Sequence, residues 1–135
     1  MSSAPQSISP PVAVLDEALE QLGFKTFLPG QREAVETLLD TGRLLLVAPT
    51  GGGKSLTYQL PASLLPGTTL VVSPLIALMH DQVQALAKRG VAATYLASTL
   101  EGDELRRRMQ GIGKGEYKLV YAAPERLTYS GFRAL

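Results

Sequence analysis

Apolar residues at Leu15, Ala18, Leu19 and Leu22 recur at the spacing of one helical face, and Gly23 follows where a left-handed cap ends a helix. Pro29-Gly30 then marks a turn, after which Ala34, Val35, Leu38 and Leu39 repeat the helical spacing as far as Gly42. Beyond Gly42 the pattern changes. Leu44-Leu45-Leu46-Val47 and Leu70-Val71-Val72 are short continuous apolar runs bounded by Gly, Pro and Ser, as expected of strands buried on both faces. Helical stretches are predicted over 55–65, 75–88 and 101–110, and further strands over 93–97 and 119–122. The order from residue 44 onward is β-α-β-α-β-α-β. Strands alternating with helices of this length imply a mostly parallel sheet with helices on both faces, an α/β fold.

Residues 1–11 hold Ser at 2, 3, 7 and 9 and Pro at 5, 10 and 11, too little apolar surface to offset the entropy of ordering, and are expected to be a flexible lead-in. Residues 12–135 are expected to form one domain, since about 135 residues support a single core. Thirteen basic residues against twelve acidic ones give a formal charge of +1, so any attraction to nucleic acid must come from a local patch. No cysteine and one histidine leave almost no ligands for a zinc centre or a disulfide framework. No apolar run approaches the ~20 residues of a membrane span, and the start lacks the regions of a signal peptide, so a soluble, unexported protein with no membrane partner is expected.

The segment Ala48-Pro49-Thr50-Gly51-Gly52-Gly53-Lys54-Ser55 leaves an apolar run and enters a helical stretch, the context that gives a phosphate-binding loop its meaning. Backbone N–H groups can turn inward onto phosphate oxygens only where side chains are absent, which Gly51, Gly52 and Gly53 allow, with Thr50 completing the loop. Lys54 adds a positive charge for the β and γ phosphates, and Ser55 offers a hydroxyl to Mg²⁺. The helix starting there directs its positive end at the anion. ATP with Mg²⁺ is therefore the expected ligand, and Lys54 and Ser55 are the catalytic candidates. The general pattern begins with Gly, where this chain has Ala48. The plainer alternative is a flexible glycine turn beside a surface lysine.

From about Leu15 onward the chain resembles the RecQ family of superfamily 2 DNA helicases. Gly23-Phe24-Lys25-Thr26-Phe27-Leu28-Pro29-Gly30-Gln31 is similar to that family's motif 0. The resemblance implies that Phe24 and Gln31 recognise adenine; a glutamine amide can both donate to and accept from the base edge. The family usually has arginine where this chain has Leu28. Val72-Ser73-Pro74-Leu75-Ile76-Ala77-Leu78-Met79-His80-Asp81-Gln82-Val83 resembles motif Ia. Ser73 is the candidate for a DNA phosphate there, and equally for a helix cap above a core face of Leu75, Leu78, Met79 and Val83. Ser98-Thr99 is similar to a short Asn-Ser-Thr-type segment, although Ser98 and Glu101 also read as a capping box.

Tyr121-Ala122-Ala123-Pro124-Glu125-Arg126-Leu127 resembles the Pro-Glu-Arg-Leu motif, which implies a DNA phosphate contact for Arg126; an ion pair with a carboxylate is the alternative. His80 lacks catalytic partners and reads as a solvated neighbour. Arg106-Arg107-Arg108 follows Asp103 and Glu104, the mixed charge of a solvated face.

The resemblance implies a P-loop, RecA-like lobe of an ATP-dependent helicase moving 3′ to 5′ on single-stranded or partly duplex DNA, in repair and recombination. It further implies an intracellular setting, cytoplasmic and nucleoid-associated in a bacterium. The family carries an Asp-Glu-x-His motif after the Pro-Glu-Arg-Leu segment, and no such motif occurs in these residues. Hydrolysis needs that acidic pair and an arginine finger from a second lobe, worth ~10³ or more in rate. The chain by itself is thus expected to be an incomplete lobe that binds nucleotide without unwinding DNA and needs the remaining lobe in cis. Two other classes remain open: a non-catalytic nucleotide-binding or regulatory module, and a different P-loop enzyme such as a small kinase.

Overall fold

The computed structural model describes residues 12–48 and 53–135. The expected lead-in, and Thr50, Gly51 and Gly52 of the glycine loop, lie outside the described residues. The chain divides into two compact units, one ending at Leu65 and the other beginning at Pro66.

The first unit is built from α1 (Val12–Gln21), α2 (Gln31–Thr41) and α3 (Lys54–Leu64). α1 buries Leu15, Ala18 and Leu19, the face that the apolar spacing predicts. Gly23 takes φ 94°, and the N–H groups of Gly23 and Phe24 reach back to Glu20 and Leu19 carbonyls, which satisfies orphaned acceptors at the helix end. α2 buries Ala34, Val35 and Leu39 and closes on Gly42, whose N–H donates to the Leu38 carbonyl at 2.8 Å. α3 packs against both other helices and contributes the fully buried Leu60. Each such fully buried leucine contributes roughly 1.5–3 kcal/mol of transfer free energy.

The run Leu44-Leu45-Leu46-Val47, expected to be the first buried strand, does not form one. Residues 43–48 have no regular secondary structure, and Leu45 and Val47 are each 89% exposed. An apolar run becomes a strand only when a neighbouring backbone takes its N–H and C=O groups, and the elements of its own unit are helices whose bonds are made internally.

The second unit contains β1 (Thr69–Val72), α4 (Ile76–Lys88), β2 (Ala93–Leu96), α5 (Gly102–Gly113), β3 (Leu119–Ala122), a 3₁₀ turn (Pro124–Thr128) and α6 (Ser130–Arg133). The strands form an all-parallel sheet in the order β1-β3-β2. β3 is central and buried along its whole length, because strands cover both its edges. In register, Val72, Ala122 and Leu96 lie abreast, as do Leu70, Val120 and Thr94. On that face Leu96, Val120, Ala122 and Phe132 form a core, closed by Leu105, Met109, Ile112 and Tyr117. The cover stops short of β1, so Leu70 and Val72 remain 46% exposed rather than buried on both faces as expected.

α4 begins at Ile76 and packs on β2. Its buried residues are Met79 and Leu86, two turns apart; Leu75 and Leu78, expected in the core face, are exposed. A four-residue strand covers only a narrow stripe of a helix, and the flanking leucines fall outside it.

α5 starts after Glu101, with no side-chain cap, so the Ser98–Glu101 capping box does not form. Its arginines are neutralised locally: Arg106 pairs with Asp103 at 3.2 Å, Arg107 with Glu104 at 3.0 Å and Arg108 with Glu104 at 2.8 Å. The solvated-face reading holds for Arg106 and Arg107, whereas Arg108 is largely buried, donates to the Tyr95 carbonyl at 2.9 Å and lies over the Tyr95 ring. The Arg108 hydrogen bond is the main cause holding the Glu104 carboxyl below its ordinary value of 4.5, aided by the charges of Arg107 and Arg108. A carboxyl whose folded pKa is depressed stabilises the fold above its unfolded pKa, and loses that contribution as pH falls through the folded value. Glu104→Gln should therefore lower the melting temperature slightly at pH 7, and the difference from the native chain should shrink as melts are repeated at pH falling from 4.5 through the lowered folded value.

Candidate functional site

In the first unit, the side chain of Gln31 ties the loop before α2 to the start of α3. Gln31 opens α2 and is only 6% exposed. Its Oε1 accepts from the Leu28 N–H at 2.7 Å, and its Nε2 donates to the Gly53 carbonyl at 2.9 Å. The amide thus clamps the end of the glycine loop, leaving one N–H and one lone pair unassigned among the described residues.

Gly53 is the residue immediately before α3, with φ 74° and ψ 30°. A Cβ at this position would overlap Gln31 Nε2 and stand 3.2 Å from Leu28 Cδ1, so both conformation and space demand glycine. Leu28, where the related motif has arginine, is 52% exposed and places its Cδ1 beside Gly53. Arg32, a cation one position beyond Gln31, is not a substitute. It pairs with Asp16 at 2.7 Å and lies over the Phe27 ring at 5.1 Å, holding α1 to α2. Phe24 is 48% exposed in the turn after α1.

Lys54 and Ser55 form the first turn of α3, with Lys54 exposed and Ser55 half-buried. Among the described residues no carboxylate pairs with the Lys54 ammonium. Thr57 Oγ1 donates to the Lys54 carbonyl at 2.5 Å, which stiffens the turn that presents both side chains. A free ammonium and a helix N-terminus behind a glycine that admits no side chain suit a polyphosphate. Among the described residues no cluster of three or more carboxylates or histidines is arranged to hold a metal.

In the second unit, Ser73 follows β1. Its N–H donates to the Ala122 carbonyl at 3.0 Å, and its Oγ accepts from the Leu75 N–H at 3.2 Å. The hydroxyl braces the turn before α4 rather than capping the helix, whose N-cap is Leu75, and its own hydrogen is left for another acceptor. Arg126 lies in the 3₁₀ turn after β3. No carboxylate pairs with it among the described residues; its guanidinium instead stands over the Tyr129 ring, 5.0 Å from the centroid. The ion-pair alternative for Arg126 therefore fails. Leu127 lines an apolar cavity of about 600 Å³ with Leu70, Val120 and Phe132, which contains none of the phosphate-loop residues. His80 is exposed and meets Tyr95 edge-on at 5.8 Å.

Residues 28–133 match the family model described as DEAD/DEAH box helicase. The chain belongs to the DEAD/DEAH box helicase family. Within this helicase family it is 47% identical over 107 residues to the ATP-dependent DNA helicase RecQ of Bacillus subtilis, covering 78% of this chain and 18% of the relative. It is 46% identical over 114 residues to that of Synechocystis, covering 84% and 24%. Against the ATP-dependent DNA helicase Q-like 4B of Arabidopsis thaliana it is 41% identical over 110 residues, covering 80% and 10%. These matches bear out the RecQ resemblance, and the chain spans about a fifth of the bacterial relatives' length. No helix among its described residues is long and apolar enough to cross a membrane.

Proposed function

We propose that residues 12–135 are part of the nucleotide-binding lobe of a RecQ-type, ATP-dependent DNA helicase, the front portion of a motor whose remaining lobe lies in cis. The observation that carries this reading is the Gln31 clamp on Gly53, which joins the expected base-recognition loop to the expected phosphate loop within one unit.

Gly53, with Thr50, Gly51 and Gly52, receives the phosphates on backbone N–H groups. Lys54 neutralises the β and γ phosphates, and the Ser55 hydroxyl would help hold Mg²⁺. The bound ion's part is to draw charge from the phosphate oxygens. Phe24 offers its ring to adenine, and the spare N–H and lone pair of Gln31 match the donor–acceptor edge of that base. Ser73 and Arg126 hold the sugar–phosphate backbone of single-stranded DNA. Unwinding with 3′-5′ polarity, in repair or recombination inside the cell, belongs to the complete motor.

DNA binding separates this reading from a nucleotide-binding module without a motor. Ser73→Ala and Arg126→Ala should each weaken binding of a labelled single-stranded oligonucleotide several-fold, with the larger loss for Arg126, and Arg126→Ala should reduce the salt dependence by about one phosphate contact. Unchanged binding in both variants would favour the non-motor module.

A further inference from the structure

Tyr129 is 56% exposed although it stands between two helical turns. Its backbone is fixed on both sides: its N–H donates to the Arg126 carbonyl at 3.1 Å, and its carbonyl accepts from the Arg133 N–H at 3.1 Å. One face of its ring is occupied by the Arg126 guanidinium, which is free of carboxylates among the described residues. A large aromatic side chain exposed to this degree is not explained by packing, because the neighbouring core is closed by Phe132 of α6.

We propose that Tyr129 is a stacking residue for single-stranded DNA: one base lies on the ring face opposite Arg126, while Arg126 holds an adjacent phosphate. The inference rests on the DNA reading of Arg126 and adds to it a base contact. Base–aromatic stacking tolerates any sequence because every base presents a π face, as suits a protein that must bind DNA without reading it. The arginine above the ring preorganises the pair, since a guanidinium that is already stacked loses less freedom on meeting a phosphate.

The chain contains no tryptophan, so Tyr129→Trp places a single indole at this position. Titrating that variant with oligo(dT) should quench its emission, whereas an abasic oligomer with the same number of phosphates should bind more weakly without quenching. Tyr129→Ala should weaken oligo(dT) binding by about tenfold, and Tyr129→Phe should retain it. Oligo(dT) binding that leaves the indole unquenched and survives Tyr129→Ala would overturn the stacking role while leaving the Arg126 contact standing. Failure of the native chain to bind any oligonucleotide would overturn both.

Discussion

Lys54→Ala should cut affinity for ATP by roughly ten- to a hundredfold and leave the melting temperature almost unchanged. The expected size follows from a charge-assisted contact worth about 1.5–3 kcal/mol, with each 1.4 kcal/mol equal to a tenfold change. The separation of the two readouts follows from the geometry. Lys54 is exposed on the first turn of α3 and has no carboxylate partner among the described residues, so its removal strands no charge and opens no cavity. Equilibrium titration with a fluorescent ATP analogue, beside a thermal melt, checks both. A variant that binds as tightly as the native chain would remove the lysine from the site. One that melts much earlier would assign it a structural role instead.

Gln31→Ala is expected to act on stability and on nucleotide selection together. Truncation leaves the Leu28 N–H and the Gly53 carbonyl without their partner, at a cost of ~1–3 kcal/mol for a group kept from water. It also frees the glycine immediately before Lys54. ATP binding should weaken, and its advantage over GTP should shrink towards parity. Gln31→Glu should not rescue either property, because a carboxylate oxygen would then face the Gly53 carbonyl where an N–H now donates. Competition of ATP and GTP for the same variant, with melts alongside, separates the contributions. A changed melting temperature with intact base preference would leave Gln31 as a clamp only. Changed preference without loss of stability would contradict the clamp.

Much of this arrangement is legible in the residues themselves. The helical faces led by Leu15 and by Ala34-Val35, and the glycines that close them at 23 and 42, emerge where period and turn chemistry place them, because those signals are local. The parallel direction of the strands follows from their alternation with helices, whereas the placing of 119–122 between 69–72 and 93–96 appears only in the structure. The fate of Leu44-Leu45-Leu46-Val47 was not legible, since an apolar run states a need for neighbours without supplying them. The exposed flank of α4 escaped for a similar reason: Leu75 and Leu78 have the right spacing, but how much of a helix a sheet covers depends on the strands beneath it.

The site divides in the same way. The phosphate loop announces itself through three glycines and Lys54-Ser55, whereas the Gln31–Gly53 bond spans 22 positions and leaves no periodic trace. Its one hint is that Gln31 is a polar residue opening a helix just after a turn, and its burial appears only in three dimensions. The pairing of Arg126 with Tyr129 could have been suspected, because three residues bring side chains together in a helical turn. The pull of the Pro-Glu-Arg-Leu motif, which ends at Leu127, hides it.

Nucleotide binding at this site is tested by calorimetric titration of the native chain with ATP and with GTP, each in the presence of Mg²⁺. One saturable site is expected, which prefers ATP and weakens when Mg²⁺ is withdrawn. Absence of binding, or equal binding of the two nucleotides, would contradict it.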